Sequence, residues 1–128
     1  MSSYLKNRFI ENNEHQMLNR VKALSDEPEP SIKQLLSKTE SYLSPRCGSE
    51  AVLSIGSGVE WMENPKFAGV ISVMPHGCMP GGIVAAMAEK LGQIYHKPWI
   101  SLTYDGILET NNLTRINNFA EVIRFCSQ

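Results

Sequence analysis

The spacing of apolar positions changes period several times along the chain, and each change marks an element. From Tyr4 to Leu24, apolar Leu5, Phe9, Ile10, Met17, Leu18, Val21 and Leu24 recur mostly three or four residues apart, with Lys6, Arg8, Glu11, Glu14, Arg20 and Lys22 between them. That is the period of an amphipathic helix. Ser25-Asp26-Glu27-Pro28-Glu29-Pro30 ends it, because proline has no amide donor and restricts the residue before it. Ser31 predicts an N-cap for a short second helix carrying Ile32, Leu35 and Leu36. Tyr42 to Gly48 reads as a loop turning at Ser44-Pro45, and Ser49-Glu50 as the start of a helix with Val52, Ile55, Val59 and Met62 on one stripe. Gly56 and Gly58 inside that helix each cost up to about 1 kcal/mol relative to alanine, which implies a close neighbour, and a sheet is the expected one. A phosphate-binding Gly-x-Gly would need a strand before it, and none precedes it.

The period then shortens. Residues 69–73 form a β-branched run that reads as a buried strand, followed by Met74-Pro75-His76-Gly77-Cys78-Met79-Pro80-Gly81 as a loop. A helix is predicted from Gly82 to about Tyr95, with Ile83, Val84, Met87, Leu91 and Ile94 inward, ended by His96-Lys97-Pro98. Trp99 to Leu102 makes a second short strand, and Thr103 to Thr110 a second loop. Asn111 or Asn112 then caps a last helix carrying Leu113, Ile116, Ala120 and Ile123. Strand, helix, strand in this order predicts a right-handed parallel pair. The expected fold class is α/β: a partial Rossmann-like domain over residues 41–128, with a short parallel sheet and packed helices, preceded by an N-terminal helical segment over residues 1–40. Two strands alone are a poor sheet, so the chain is expected to belong to a larger α/β domain or to pair with a copy of itself.

Composition narrows the function classes. A length of 128 residues suits one compact domain, and a formal charge of −1 offers no basic face for nucleic acid or an anionic membrane. No apolar run approaches the ~20 residues of a membrane span, and the polar start Met1-Ser2-Ser3-Tyr4-Leu5-Lys6 has no signal core, so the chain reads as cytoplasmic. Cys47, Cys78 and Cys126 are odd in number and widely spaced, unlike a disulfide framework.

Candidate chemistry gathers where the two predicted loops emerge at one sheet edge. Met74, Pro75, His76, Gly77, Cys78, Met79, Pro80 and Gly81 would face Thr103, Tyr104 and Asp105 across a crevice at the strand ends, with Asn111 beside it. A cysteine at a helix N-terminus is placed where thiolate is favoured, and thiolate attacks electrophiles and ligates soft metals; multi-thiolate sites commonly hold iron–sulfur clusters. Other readings stand beside these. Cys78 can be a small packing residue, His76 a surface histidine rather than a base or ligand, and Asp105-Gly106 an ordinary turn. His15 and His96 read as solvated helix residues, and Cys47 and Cys126 as incidental.

Gly69-Val70-Ile71-Ser72-Val73-Met74-Pro75-His76-Gly77-Cys78-Met79-Pro80-Gly81 resembles the G-I-I-N-V-M-P-F-G-C-M-P-G segment in the C-terminal region of 2-hydroxyacyl-CoA dehydratase activators and related dehydratase-like iron–sulfur proteins. Leu102-Thr103-Tyr104-Asp105-Gly106, followed by Thr110-Asn111 and Thr114-Arg115, is similar to that family's L-x-Y-D-G-x-x-x-T-N-x-x-T-R-L segment, and Tyr42-Leu43-Ser44-Pro45 with the helix after it also matches. The resemblance covers about two-thirds of the chain. It implies a Rossmann-like domain and low-potential electron transfer or acyl-CoA binding, with Cys78 at the position of a cluster-ligating thiolate. His76 stands where the family pattern has phenylalanine. The sequence has no counterpart of the activators' ATP-binding domain or of the other cluster cysteines, so the expectation is no iron–sulfur cluster on this chain alone, no catalysis by it alone, and a cluster only with ligands from another segment or chain. The expected partners are a second copy or a partner subunit of a dehydratase or activase system. The alternative is a non-catalytic assembly module, and a weaker reading is a thiol enzyme with Cys78 as nucleophile and His76 as base.

Overall fold

The computed structural model describes residues 30–106 and 110–126, together with residues 8, 9, 12, 13 and 16. Those five are helical, and the rest of the helix expected over Tyr4 to Leu24 lies outside the described residues. The described elements are α1 (Ile32–Thr39), a 3-10 turn (Pro45–Cys47), α2 (Ala51–Glu63), β1 (Val70–Pro75), α3 (Met79–Tyr95), β2 (Trp99–Tyr104) and α4 (Thr110–Cys126). The fold is α/β, with a short two-stranded parallel sheet and helices packed on it.

Local chemistry sets the helix ends. Ser31 caps α1 with a full capping box, in which its hydroxyl accepts from the Gln34 amide while the Gln34 side chain takes the Ser31 amide at 2.8 Å. At the start of α2 the Ser49 hydroxyl accepts from the Ala51 amide at 3.2 Å. The last turn of α3 closes on His96 in the left-handed region, φ 54°, with the Lys97 amide donating to the Gly92 carbonyl at 3.1 Å.

In the parallel register Val70 lies opposite Trp99 and Pro75 opposite Tyr104. Side chains alternate across a strand, so Val70, Ser72, Met74, Trp99 and Ser101 share one face. That face is covered by α2 and α3, and Ile55, Val59, Met62, Val84, Ala88 and Leu91 meet Val70, Met74 and Trp99 in one core. Within it the Trp99 Nε1–H donates to the Ser72 hydroxyl at 3.2 Å, and Ser72 pairs with the Ser101 hydroxyl at 2.8 Å. The other face carries Leu102, fully buried, and Ile71 and Val73, both exposed.

The glycines of α2 mark two different close approaches. A methyl on Gly58 would overlap the Trp99 ring, which is the expected packing on the sheet, whereas one on Gly56 would overlap the Leu35 carbonyl oxygen of α1. At that crossing the buried Thr39 hydroxyl reaches the carbonyls of Leu35, at 2.9 Å, and Val52, at 2.6 Å.

Several sequence expectations need correction. Both strands run past their expected ends, so Met74 and Pro75 belong to β1 and Thr103 and Tyr104 to β2, and Asn111 and Asn112, expected as caps, lie inside α4. α3 begins at Met79 rather than Gly82, because Pro80 falls in the first turn, where a missing amide leaves no bond unmade. Ile94 is exposed and its neighbour Tyr95 turns inward. The buried stripe of α4 runs through Asn112 and Phe119 with Ile116 and Ile123 partly covered, while Leu113 and Ala120 face outward.

Tyr95 turns inward to a polar cluster joining three helices. Its hydroxyl pairs with the Tyr42 hydroxyl at 2.8 Å and donates to Glu63 at 3.2 Å, and Glu63 and Glu60 hold Lys38 of α1. Burial first, then the Tyr42 hydroxyl and the Glu63 charge, push the Tyr95 hydroxyl well above its ordinary value of 10.0. The Glu63 carboxylate likewise raises Lys38, against a smaller opposing effect of burial. Both groups hold their protons more tightly when folded, so their stabilisation is present below the ordinary values and is lost as pH climbs towards the raised ones. Melting followed from pH ~8 to ~11 should show a falling transition temperature. Tyr95→Phe should cost about 1 kcal/mol at neutral pH and flatten the alkaline fall. An alkaline slope unchanged in Tyr95→Phe would contradict this assignment.

Candidate functional site at the carboxyl edge of the parallel pair

Parallel strands send their following loops to one edge, and here a hydrogen bond ties those loops together: the His76 amide donates to the Tyr104 carbonyl at 2.9 Å. The chain then turns within four residues. Gly77 takes a left-handed φ of 72° at the third position, and the Cys78 amide closes on the Pro75 carbonyl at 3.3 Å, the pattern of a type II turn. Cys78 comes next as the N-cap residue of α3, its carbonyl accepting from the Gly82 amide at 3.0 Å. Its thiol is neither fully buried nor fully exposed.

Cys78 lines a hollow of about 130 Å³ with Met74 and Pro75 of β1 and Pro80 and Gly81 of α3. Gly81 leaves the space that the Met74 thioether fills, and a Cβ there would come 3.0 Å from Met74 Cγ. The hollow also takes in Glu50 and Ser54 from the first turns of α2, and Ser72 and Val73. Glu50 and Ser54 were not expected from the sequence. The signal was in the topology: a helix that leads by a short connection into a strand and packs on it runs antiparallel to it, so its N-terminus lies at that strand's carboxyl end.

Of the expected site residues, Met74, Pro75, Cys78, Pro80 and Gly81 thus come together. His76, Gly77 and Met79 are exposed and do not line the hollow. Tyr104 ends β2, Asp105 follows it and Asn111 lies in the first turn of α4; all three are exposed, and Thr103 is half-buried. The Thr103 carbonyl accepts from the buried Asn112 side chain at 2.8 Å, which fixes the start of α4 to the end of β2. α4 then runs back along the sheet, and its Val122 meets Pro98 and Trp99 around an open depression of about 360 Å³ at the amino end of β2. The backbone at Cys126, one turn beyond Val122, therefore lies at the edge opposite Cys78. Cys47 is exposed at the end of the 3-10 turn.

Among the described residues no three His, Cys, Asp or Glu side chains lie together so as to hold a metal ion. Cys78 can offer a cluster one thiolate, and these residues do not by themselves fit a whole one. The exposed His76 does not line the hollow that holds the thiol. Among the described residues no helix is long and apolar enough to cross a membrane. Comparison with protein-family models, with curated proteins and with solved structures finds no match for this chain.

Proposed function

We propose that this chain is an α/β component of a dehydratase-activator type of electron-transfer system, in which Cys78 presents a single thiolate to an iron–sulfur cluster whose other ligands come from another segment or chain. The observation that carries the reading is the placement of Cys78. The thiol stands at the N-cap of α3, at the carboxyl edge of a parallel pair, half-buried in a hollow between α2 and α3. Ligands of open α/β sheets bind at such edges, and a thiolate on a rigid Pro- and Gly-bounded turn is held in place for a soft metal. The resemblance of the two motifs names the ligand class.

A cubane cluster takes four ligands, mostly cysteine thiolates, so partner dependence follows from the donor set. Anaerobic incubation with ferrous iron and sulfide should leave this chain without the broad visible absorbance of a cluster, and co-expression with a cysteine-bearing upstream segment or subunit should bring that absorbance in. A chain that builds a full cluster alone would overturn the proposal.

The second reading is a non-catalytic assembly module that binds no cluster. Ile71 and Val73 favour it, since both expose apolar surface on a strand of the sheet. A co-expressed complex that assembles stably yet takes up no iron would select this reading.

A further inference from the structure

The two edges of the sheet are not equivalent. The amides of Val70 and His76 donate to the carbonyls of Pro98 and Tyr104, each at 2.9 Å, so residues 70, 72, 74 and 76 turn their backbone groups towards β2, and Ile71 and Val73 turn theirs away. No described residue bonds those outward groups. The outward groups of β2 belong to Trp99, Ser101 and Thr103, and there the Thr103 carbonyl is taken by the buried Asn112 of α4. Among the described residues β2 is thus obstructed at its outer edge and β1 is open.

We propose that β1 pairs, antiparallel and across a two-fold axis at Ser72, with β1 of a second copy of this chain, giving a four-stranded sheet in the order β2, β1, β1, β2. The open edge is self-complementary. Pro75 has no amide and its carbonyl is used by Cys78, so the pairing window reduces to Ile71 and Val73, placed symmetrically about Ser72. Rotation about that residue sets Ile71 of each copy against Val73 of the other and makes four backbone hydrogen bonds. The same rotation opposes β-branched side chains that are 38% and 66% exposed in the single chain. Ser72 itself points to the inner face, where Trp99 and Ser101 hold it, and does not obstruct the axis.

The flank of α2 above this edge agrees. Ser54 lines the hollow with Val73, and Trp61, seven residues on and so on the same side of the helix, is 40% exposed beside Phe67. The pairing stands on the sheet alone and is tested without a cluster.

Sedimentation equilibrium of the wild-type chain should give twice 14.3 kDa, or 28.6 kDa, and Val73→Lys should halve that mass with no change in circular dichroism. Hydrogen exchange of the wild type supplies an independent reading: the Ile71 and Val73 amides should be protected in the dimer and lose protection on dilution. A wild-type monomer at every concentration, a Val73→Lys chain that still dimerises, or a dimer whose Ile71 and Val73 amides exchange freely would each overturn the proposal.

Discussion

Gly58→Ala should lower the free energy of unfolding by about 3 kcal/mol, although alanine is the better helix former by about 1 kcal/mol. The added methyl meets the Trp99 ring, with Cζ2 at 2.7 Å and other ring atoms closer still. The ring cannot slide away easily. It is 8% exposed, packed in the core, and anchored through Nε1–H to the Ser72 hydroxyl. Urea unfolding measures the loss, and a second substitution identifies its cause. Trp99→Leu removes the atoms that the methyl strikes, so Gly58→Ala with Trp99→Leu should cost at least about 1 kcal/mol less than the two separate costs added. Strict additivity would mean that the ring and the glycine do not meet.

Gly56→Ala should be at least as damaging, about 3 kcal/mol or more, and for a different reason. Its methyl would overlap the Leu35 carbonyl oxygen and come 2.7 Å from Thr39 Oγ1, so the obstacle is the backbone of α1 rather than a side chain. α1 would have to lift off α2, and the Thr39 hydroxyl would lose its reach to the Val52 carbonyl. Hydrogen exchange should therefore show α1 losing protection while the β1 and β2 amides keep theirs. Unchanged protection in α1 would contradict the close crossing.

These glycines also show how far the sequence could be read. Two glycines within a helical stripe announced close neighbours, and one of those neighbours is the expected sheet. The other is α1, whose approach depends on the Thr39 bridge between two helices and leaves no local signature. The strands, their parallel pairing and the shared edge followed from β-branched runs separated by a helix. The start of α3 was misjudged because Met79-Pro80-Gly81-Gly82 has loop composition, although a proline in the first turn is compatible with a helix. In α4 the inward position at the first turn is polar Asn112, which is buried to bond the Thr103 carbonyl. Apolar periodicity therefore favoured Leu113, one position off. Cys78 was legible as the chemical centre of its loop, but the hollow around it is closed by Glu50 and Ser54 from α2 rather than by the Tyr104 loop, a contact that local spacing does not encode.

The cysteines are separated by their places in the fold: Cys78 in the hollow, Cys47 exposed on the 3-10 turn, and the backbone at Cys126 at the far edge. The most direct measurement is the visible spectrum of the co-expressed, iron- and sulfide-reconstituted complex carrying Cys78→Ser, Cys47→Ser or Cys126→Ser in turn. The cluster absorbance should be lost with Cys78→Ser and retained with the other two. A Cys78→Ser complex with undiminished cluster absorbance would contradict a ligand role for this thiol.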